Sequence, residues 1–156
     1  MAAMLLLAAM LAAAAPSATD EAAIFKAAGF KKHGASWKSG ECEGMEGESY
    51  QPGTIETYKD INGDGRPEAV VTEGSGICYG NTGTRFWLLT KEPNGTWKSM
   101  ISEIGIAEFV PSNKGRAGWP SLSIGGPGFC FPVYRWNGRV WQLYTFEYEG
   151  KRCKKP

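Results

Sequence analysis

The chain has 156 residues, 12% of them aromatic, and a formal net charge of +1 at pH 7. Its 17 Lys and Arg side chains nearly balance its 16 Asp and Glu side chains, so no overall charge attracts nucleic acid or an anionic membrane surface. The length beyond an apolar N-terminal segment suits one domain with its own core and leaves no room for a second.

The N-terminal segment is typical of a secretory signal peptide. Residues 1–15 contain no polar or charged side chain, and the alanine run leads into small residues at which a signal peptidase can cut. The apolar stretch is shorter than the roughly 20 residues that span a membrane, and it contains no cysteine for a lipid anchor. We therefore expect residues 1–18 to be removed, after Ala14, Ser17 or Ala18. The remaining domain, residues 19–156, is then periplasmic or secreted and has no membrane span.

One amphipathic helix is predicted at the start of the mature chain, over residues 19–33. Its apolar side chains recur at helical spacing, and Asp20 and Glu21 stand in the first turn, where acidic residues favour a helix N-terminus. Gly34 predicts its end. The Gly- and Glu-rich residues 39–51 that follow predict a loop.

The rest of the chain predicts antiparallel β structure, because short β-branched and aromatic runs alternate with turn residues. Two of the turns are Asn-Gly pairs, at Asn94-Gly95 and Asn137-Gly138, and such pairs favour two-residue hairpin turns. The predicted strands cover residues 54–59, 68–73, 84–91, 96–103, 121–125, 131–136 and 140–148.

A repeated pattern runs through this β region. Gly, Pro, a strand, Cys, a strand, Asn-Gly and Trp occur in that order from Gly65 to Trp97 and again from Gly118 to Trp141. Repeats of roughly 40 to 50 residues are typical of propeller blades, but two of them cannot close a propeller. The pattern predicts a mainly β fold with one N-terminal helix, in which two blade-like repeats pack as a compact, sandwich-like domain. Chance similarity is the alternative.

Four cysteines in an exported chain predict two disulfides. A zinc site is the alternative, but no two cysteines have the close spacing of a zinc knuckle, and His33 is the single histidine. Cys78 and Cys130 hold equivalent places in the two repeats, so we expect them to pair. Cys42 lies among glutamates and Cys153 among basic residues, and this charge complementarity favours a Cys42–Cys153 bond.

The sharpest motif is a loop with oxygen-bearing side chains at alternate positions, from residue 60 to residue 68. A glycine at its sixth position permits the reversal that turns these side chains towards one point, where a hard cation such as calcium would bind. Val71 occupies the place of the bidentate glutamate of an EF-hand, which excludes that motif. A bare Asn/Asp/Gly turn is the alternative. The predicted calcium ligands are Asp60, Asn62, Asp64, the backbone carbonyl of Arg66, and Glu68.

This loop, which leads directly into a β-strand, resembles the calcium loop of FG-GAP and VCBS-type repeats of extracellular propellers. The resemblance covers residues 60–71 and implies calcium ligation by the side chains of Asp60, Asn62, Asp64 and Glu68. With its cysteine-flanking segments 78–83 and 125–132, the chain also resembles a group of small exported bacterial proteins of unassigned function.

A further resemblance concerns residues 75–79, whose S-G-x-x-Y pattern is similar to the loop by which periplasmic inhibitors block animal-type lysozymes. It implies that Ser75 and Tyr79 contact the enzyme. The alternative is a glycine-rich turn before a half-cystine.

Catalytic and platform sites have weaker support in the sequence. A Ser/His/Asp triad would need His33, which stands beside Lys31 and Lys32 as a solvated surface histidine would. The glutamates of residues 41–48 lie close together in one predicted loop, and their spacing does not indicate an acid/base pair for glycoside hydrolysis. Five tryptophans could form a sugar- or peptide-binding platform or fill the core, namely Trp87, Trp97, Trp119, Trp136 and Trp141.

These patterns together predict an exported, calcium-stabilised module that is not an enzyme. We expect a monomer that binds an unknown protein or glycan and no nucleic acid. A periplasmic inhibitor of lysozyme-type enzymes is the alternative, and a hydrolase comes third.

Overall fold

The computed structural model describes residues 15–154 and shows a mainly β protein with one helix near the N-terminus. The predicted signal peptide lies outside the described residues, apart from residues 15–18. Among the residues described, no helix has the length and apolar character needed to cross a membrane. The elements are helix α1 (Ala18–Ala27) and strands β1 (Lys31–His33), β2 (Ser36–Lys38), β3 (Gln51–Lys59), β4 (Glu68–Gly74), β5 (Thr84–Lys91), β6 (Trp97–Ile104), β7 (Ile106–Lys114), β8 (Pro120–Gly125), β9 (Phe131–Trp136), β10 (Trp141–Tyr148) and β11 (Lys151–Arg152).

Helix α1 begins and ends at signals that can be read in the sequence. Ser17 caps it, because its Oγ accepts a hydrogen bond from the Asp20 amide at 3.1 Å. Gly29, at φ +88°, closes it in a left-handed turn that satisfies the last carbonyls. The predicted extension of the helix to residue 33 is wrong. Residues 31–33 form β1, which pairs with β2, because the turn at Gly29 redirects the chain.

Two antiparallel sheets form most of the molecule. The first sheet has the strand order β3-β4-β5-β6, and the second sheet has the order β11-β10-β9-β8-β7. Neighbours in each sheet are also neighbours in the chain, so both sheets are up-and-down meanders. The predicted antiparallel β fold is confirmed. Four strands have no predicted counterpart: β1, β2 and β11 are very short, and Pro111 interrupts the apolar pattern of β7.

Both Asn-Gly hairpins are confirmed, but neither turn is a two-residue Asn-Gly turn. The first lies in the connection 92–96, where the Glu92 amide donates to the Thr96 carbonyl at 2.8 Å. In the second, the Asn137 amide donates to the Val140 carbonyl at 3.1 Å. Only the glycine of each pair has a positive φ, +85° and +98° respectively. The asparagine instead accepts a hydrogen bond at its side chain from the amide two residues later.

Alternation along β4 builds two cores. Ala69 and Val71 face α1, whereas Val70 between them faces the second sheet. The first core therefore lies between α1 and the first sheet, and the second core lies between the two sheets. These three layers give the sandwich-like packing expected from the sequence. That the two sheets correspond to two blade-like repeats stays a prediction.

The tryptophans considered as a binding platform belong mainly to these cores. Trp87 and Trp97 are buried in the first core, and Trp119 and Trp141 are buried in the second. Trp136 is partly buried against the second core. The ring centroids of Trp119 and Trp141 lie 5.4 Å apart, edge to face, which is a favourable arrangement for buried aromatic rings. Core packing explains the set.

Two disulfides are present, but the predicted pairing is wrong. The bonds are Cys42–Cys78, with a Cα–Cα distance of 5.5 Å, and Cys130–Cys153, with a Cα–Cα distance of 5.7 Å. Each bond stays within one sheet and its flanking loops. Strand β11 pairs with β10, and β10 pairs with β9, which brings the residue after β11 beside the residue before β9. Local chain topology therefore outweighs the weak attraction between the charged neighbours of Cys42 and Cys153.

Candidate functional site

The predicted calcium loop joins β3 to β4 and is closed by hydrogen bonds to Asp60. The Asp60 carboxylate accepts from the amide of Gly63 at 2.7 Å and from the amide of Gly65 at 2.8 Å. Both glycines have positive φ angles, +81° and +84°, which other residues rarely adopt. The motif thus folds locally into a tight turn around its first carboxylate.

Asn62 and Asp64 continue the turn through side-chain contacts of their own. Asn62 Oδ1 accepts from the Asp64 amide at 2.9 Å, and Asp64 Oδ1 accepts from the Arg66 amide at 2.8 Å. The Arg66 guanidinium also forms an ion pair with Asp64, and its Nε donates to the Lys91 carbonyl at 2.9 Å. The Arg66 side chain therefore brings a positive charge into the loop. The predicted role of Arg66 involved only its backbone carbonyl.

Glu68 is the buried end of the motif, with 0% of its surface exposed. Its Oε2 accepts from the Ile61 amide at 2.7 Å, and its Oε1 accepts from the Thr90 hydroxyl at 2.8 Å. Burial raises the pKa of the Glu68 carboxyl above its usual value, although these hydrogen bonds act in the opposite direction. Its negative charge therefore lies in an unfavourable environment.

The fit of calcium to these residues depends on the Asn62 amide. Asn62 Nδ2 lies 3.4 Å from Asp64 Oδ2 and 3.3 Å from Glu68 Oε1, so both oxygens face the same amide group. Rotating the amide by half a turn would present a third oxygen in that place. Among residues 15–154, no three acidic, histidine or cysteine side chains form a ready metal-binding group. Carboxylate and amide oxygens are the donor type that calcium prefers. To bind it here, Asn62 would have to rotate and lose the hydrogen bond from the Asp64 amide, and Arg66 would have to release Asp64.

The loop is packed against the segment that precedes the second sheet. A Cβ atom on Gly118 would lie 2.1 Å from the Asn62 carbonyl oxygen, so the two backbones approach as closely as glycine allows. Ile61 is partly buried against the second core. Order in the loop is therefore coupled to the contact between the two sheets.

A second buried carboxylate, Glu73, is not indicated by any motif in the sequence. It is 1% exposed and accepts hydrogen bonds from the hydroxyl of Tyr50 at 2.7 Å and from the hydroxyl of Tyr79 at 2.6 Å. The amide and hydroxyl of Ser39 also donate to it. Burial alone would raise the pKa of Glu73, but these hydrogen bonds outweigh burial and hold the pKa below its usual value. Burial and the neighbouring Glu73 charge raise the pKa of both tyrosines.

The Glu73 cluster, which consists of Glu73, Ser39, Tyr50 and Tyr79, attaches the loop 39–50 to β4 beside the Cys42–Cys78 bond. Its donors come from positions 34, 23 and 6 residues away in the chain. Such separations leave no local pattern, which explains why sequence motifs do not reveal the cluster.

The residues of the lysozyme-inhibitor resemblance are buried. Ser75 is 1% exposed and Tyr79 is 4% exposed. The Tyr79 hydroxyl donates to Glu73, and the Ser75 Oγ accepts from the Cys78 amide at 3.1 Å. These side chains are used inside the fold, so their positions do not support contact with an enzyme.

The remaining catalytic candidates lie at the surface. His33 is exposed on β1. In the acidic loop, Glu41 forms an ion pair with Arg85 at 2.8 Å, and Glu46 forms one with Lys38 at 3.7 Å. These contacts are those of solvated charges and provide no paired acid and base.

Comparisons with known proteins gave no match. No family model matches the chain, and no curated protein or solved structure is significantly similar to it.

Proposed function

We propose that this protein is an exported, calcium-stabilised binding module without catalytic activity of its own. The observation that carries the proposal is the convergence of Asn62, Asp64 and Glu68 at the contact between the two sheets. A cation held there would order the loop and, through Asn62 and Gly118, the packing of one sheet against the other.

The buried charge of Glu68 favours a cation. A carboxylate removed from water is costly to the folded state unless an opposite charge or enough hydrogen bonds compensate it. Within residues 15–154, the ion pairs of the protein do not include Glu68. Calcium would place a positive charge beside Glu68 Oε1, the oxygen that faces the Asn62 amide.

Export and the absence of catalysis draw on separate observations. Two disulfides suit an oxidising compartment, in agreement with the predicted signal peptide. Among the described residues, the buried carboxyl groups of Glu68 and Glu73 are no more than 1% exposed. A substrate in solution therefore does not reach either of them as a general acid or base.

Thermal unfolding in chelator, in 10 mM calcium and in 10 mM magnesium (roughly ten times the weakest dissociation constants of extracellular modules) tests the proposal. With a dissociation constant of about 0.1 to 1 mM, calcium would add about 1.4 to 2.7 kcal/mol to the free energy of unfolding. For a domain of this size we expect the Tm to rise by about 5 to 10 °C. Magnesium should have little effect, because its small octahedral shell retains water.

Paired variants locate the response. Asp64→Asn removes a central carboxylate yet keeps an oxygen for the Arg66 amide, so it should abolish the calcium effect. Glu103→Gln removes the same charge from an exposed position on β6 and should leave the effect intact. A wild-type Tm that is equal in chelator and in calcium would refute the proposal. Equal loss of the effect in both variants would refute the assignment of the site.

A further inference from the structure

The near-zero net charge conceals a strong separation of charge between the two halves of the protein. Residues 15–104, which contain α1 and the first sheet, carry 13 acidic and 9 basic side chains. Residues 105–154, which contain the second sheet, carry 3 acidic and 7 basic side chains. The two halves therefore have opposite signs, and the second sheet attracts anions.

A cleft of about 510 Å³ lies at one end of the second sheet. Its rim is the segment 114–116, at the C-terminal end of β7, and its other wall comes from β9 and β10. Gly115 holds the rim in place, because a Cβ there would lie 2.8 Å from the Trp136 carbonyl oxygen. The Gly115 amide also donates to the Trp119 carbonyl at 2.8 Å. The rim is thus packed closely against the end of β9.

Three positively charged side chains line this cleft, and no carboxylate does. They are Lys114, Arg116 and Arg135. Among the described residues, none of the three takes part in an ion pair. Unneutralised cations around a concave surface create a positive potential that favours an anionic ligand.

The Arg135 guanidinium is held in place by Tyr144. It lies over the Tyr144 ring, 3.5 Å from its centroid, and Arg152 Nη2 donates to the Tyr144 hydroxyl at 3.0 Å. The tyrosine is nevertheless 42% exposed. Two exposed amide side chains, Asn137 and Gln142, also line the cleft. Asn137 Oδ1 accepts from the turn amides of Arg139 and Val140, so Gln142 supplies the neutral hydrogen-bonding group for a ligand.

We propose that this cleft, defined by Lys114, Arg116, Arg135, Asn137, Gln142 and Tyr144, binds an anionic polysaccharide. The ligand is a sugar chain that bears carboxylate or sulfate groups. Guanidinium groups bind such anions through paired hydrogen bonds, whereas amide side chains suit the hydroxyls of sugar rings. The inference gives a ligand class to the binding module proposed above and does not depend on calcium.

Other polyanions have to be compared with a sugar chain as ligands of this cleft. An extended peptide commonly binds by pairing with a free strand edge. Strand β9 is paired on both sides, but β10 pairs with β11 only at Glu147 and Tyr148, so an acidic peptide is the competing ligand. Single-stranded nucleic acid usually requires several aromatic side chains for successive bases. Here Tyr144 is the exposed aromatic side chain, and Arg135 already covers one face of its ring.

Binding of the mature protein to defined polymers tests this inference. Polygalacturonate and dextran sulfate supply carboxylate and sulfate groups on a sugar chain, and neutral dextran lacks charge. Poly-glutamate and single-stranded DNA supply charge without sugar rings of this kind. We expect the protein to bind polygalacturonate or dextran sulfate at least about tenfold more tightly than neutral dextran, poly-glutamate or single-stranded DNA. A difference of that size corresponds to the loss of several contacts.

Matched variants decide whether the cleft is responsible. The double variant Lys114→Gln/Arg116→Gln should weaken polysaccharide binding by about tenfold, the effect of two exposed charge contacts. The double variant Lys26→Gln/Lys98→Gln removes the same charge from exposed positions on α1 and β6 and should change binding by less than about twofold. Gln142→Ala should weaken binding of the polysaccharide and leave any binding of poly-glutamate unchanged.

Three outcomes overturn the inference. They are no binding to either anionic polysaccharide, equal binding of poly-glutamate or DNA, and equal loss in the two double variants. If the Tm still responds to calcium in those cases, the calcium-stabilised module stands and only its ligand class fails.

Discussion

Replacement of Glu73 by glutamine should destabilise the protein strongly at neutral pH. The charged carboxylate accepts hydrogen bonds from two tyrosine hydroxyls and from the amide and hydroxyl of Ser39. A hydrogen bond to a charged group contributes about 1.5 to 3 kcal/mol, and glutamine offers one accepting oxygen instead of two. Because some donors can rotate and accept from the new amide, we expect a loss of about 2 to 4 kcal/mol in the free energy of unfolding.

The stabilisation by Glu73 should depend on pH. The folded-state pKa of Glu73 lies below its usual value of 4.5, so the folded protein holds the ionised form more tightly than the unfolded chain does. That stabilisation is fully present above the unfolded-state pKa and is lost as the pH falls through the folded-state pKa. The difference between wild type and Glu73→Gln should therefore be largest near neutral pH and shrink in acid.

Urea unfolding at pH 7 and pH 3, with the disulfides intact, measures both effects. Glu103→Gln is the control, because Glu103 is exposed and its replacement should change stability by less than about 0.5 kcal/mol. A Glu73→Gln protein as stable as the control at pH 7 would refute the role of the cluster. So would a loss of the same size at both pH values, because the charge would then contribute nothing.

Two further predictions follow from the backbone contacts and the disulfides. Gly118→Ala should destabilise the protein by more than Gly128→Ala, although both positions have positive φ, because only the former pushes a Cβ against the Asn62 carbonyl. Thermal unfolding of the two variants compares them, and an equal Tm would contradict the packing argument. Non-reducing peptide mapping should yield Cys42–Cys78 and Cys130–Cys153, and removing either bond should cost about 3 to 4 kcal/mol in the loop-entropy treatment. A Cys78–Cys130 peptide would contradict the topology.

The elements predicted correctly are those whose causes lie close together in the chain. The Asn94-Gly95 and Asn137-Gly138 hairpins depend on a few consecutive residues, and so does the turn around Asp60. The end of α1 also has a local cause, the positive φ of Gly29, but Phe30 continues the helical spacing of the apolar residues and favoured a longer helix. Strand β7 was hidden because its proline and polar residues break the alternation that identifies a strand.

The candidate sites divide in the same way. The oxygen donors of the calcium loop lie within nine consecutive residues, so their spacing alone identified them. Their fit to calcium, however, depends on the direction of the Asn62 amide and on the Arg66 ion pair, which spacing does not specify. The basic cleft joins the end of β7 to two later strands and has no motif.

By itself, the sequence determined the fold class, the number of disulfides and the position of the candidate calcium loop, because each depends on composition or on short-range pattern. Only the tertiary structure decided which cysteines pair, which carboxylates are buried and which charges stand together. These depend on the order of strands in the two sheets and on contacts between residues far apart in the chain. Cys130 meets Cys153 because three strands lie side by side, and Glu73 is stabilised because two loops fold over it.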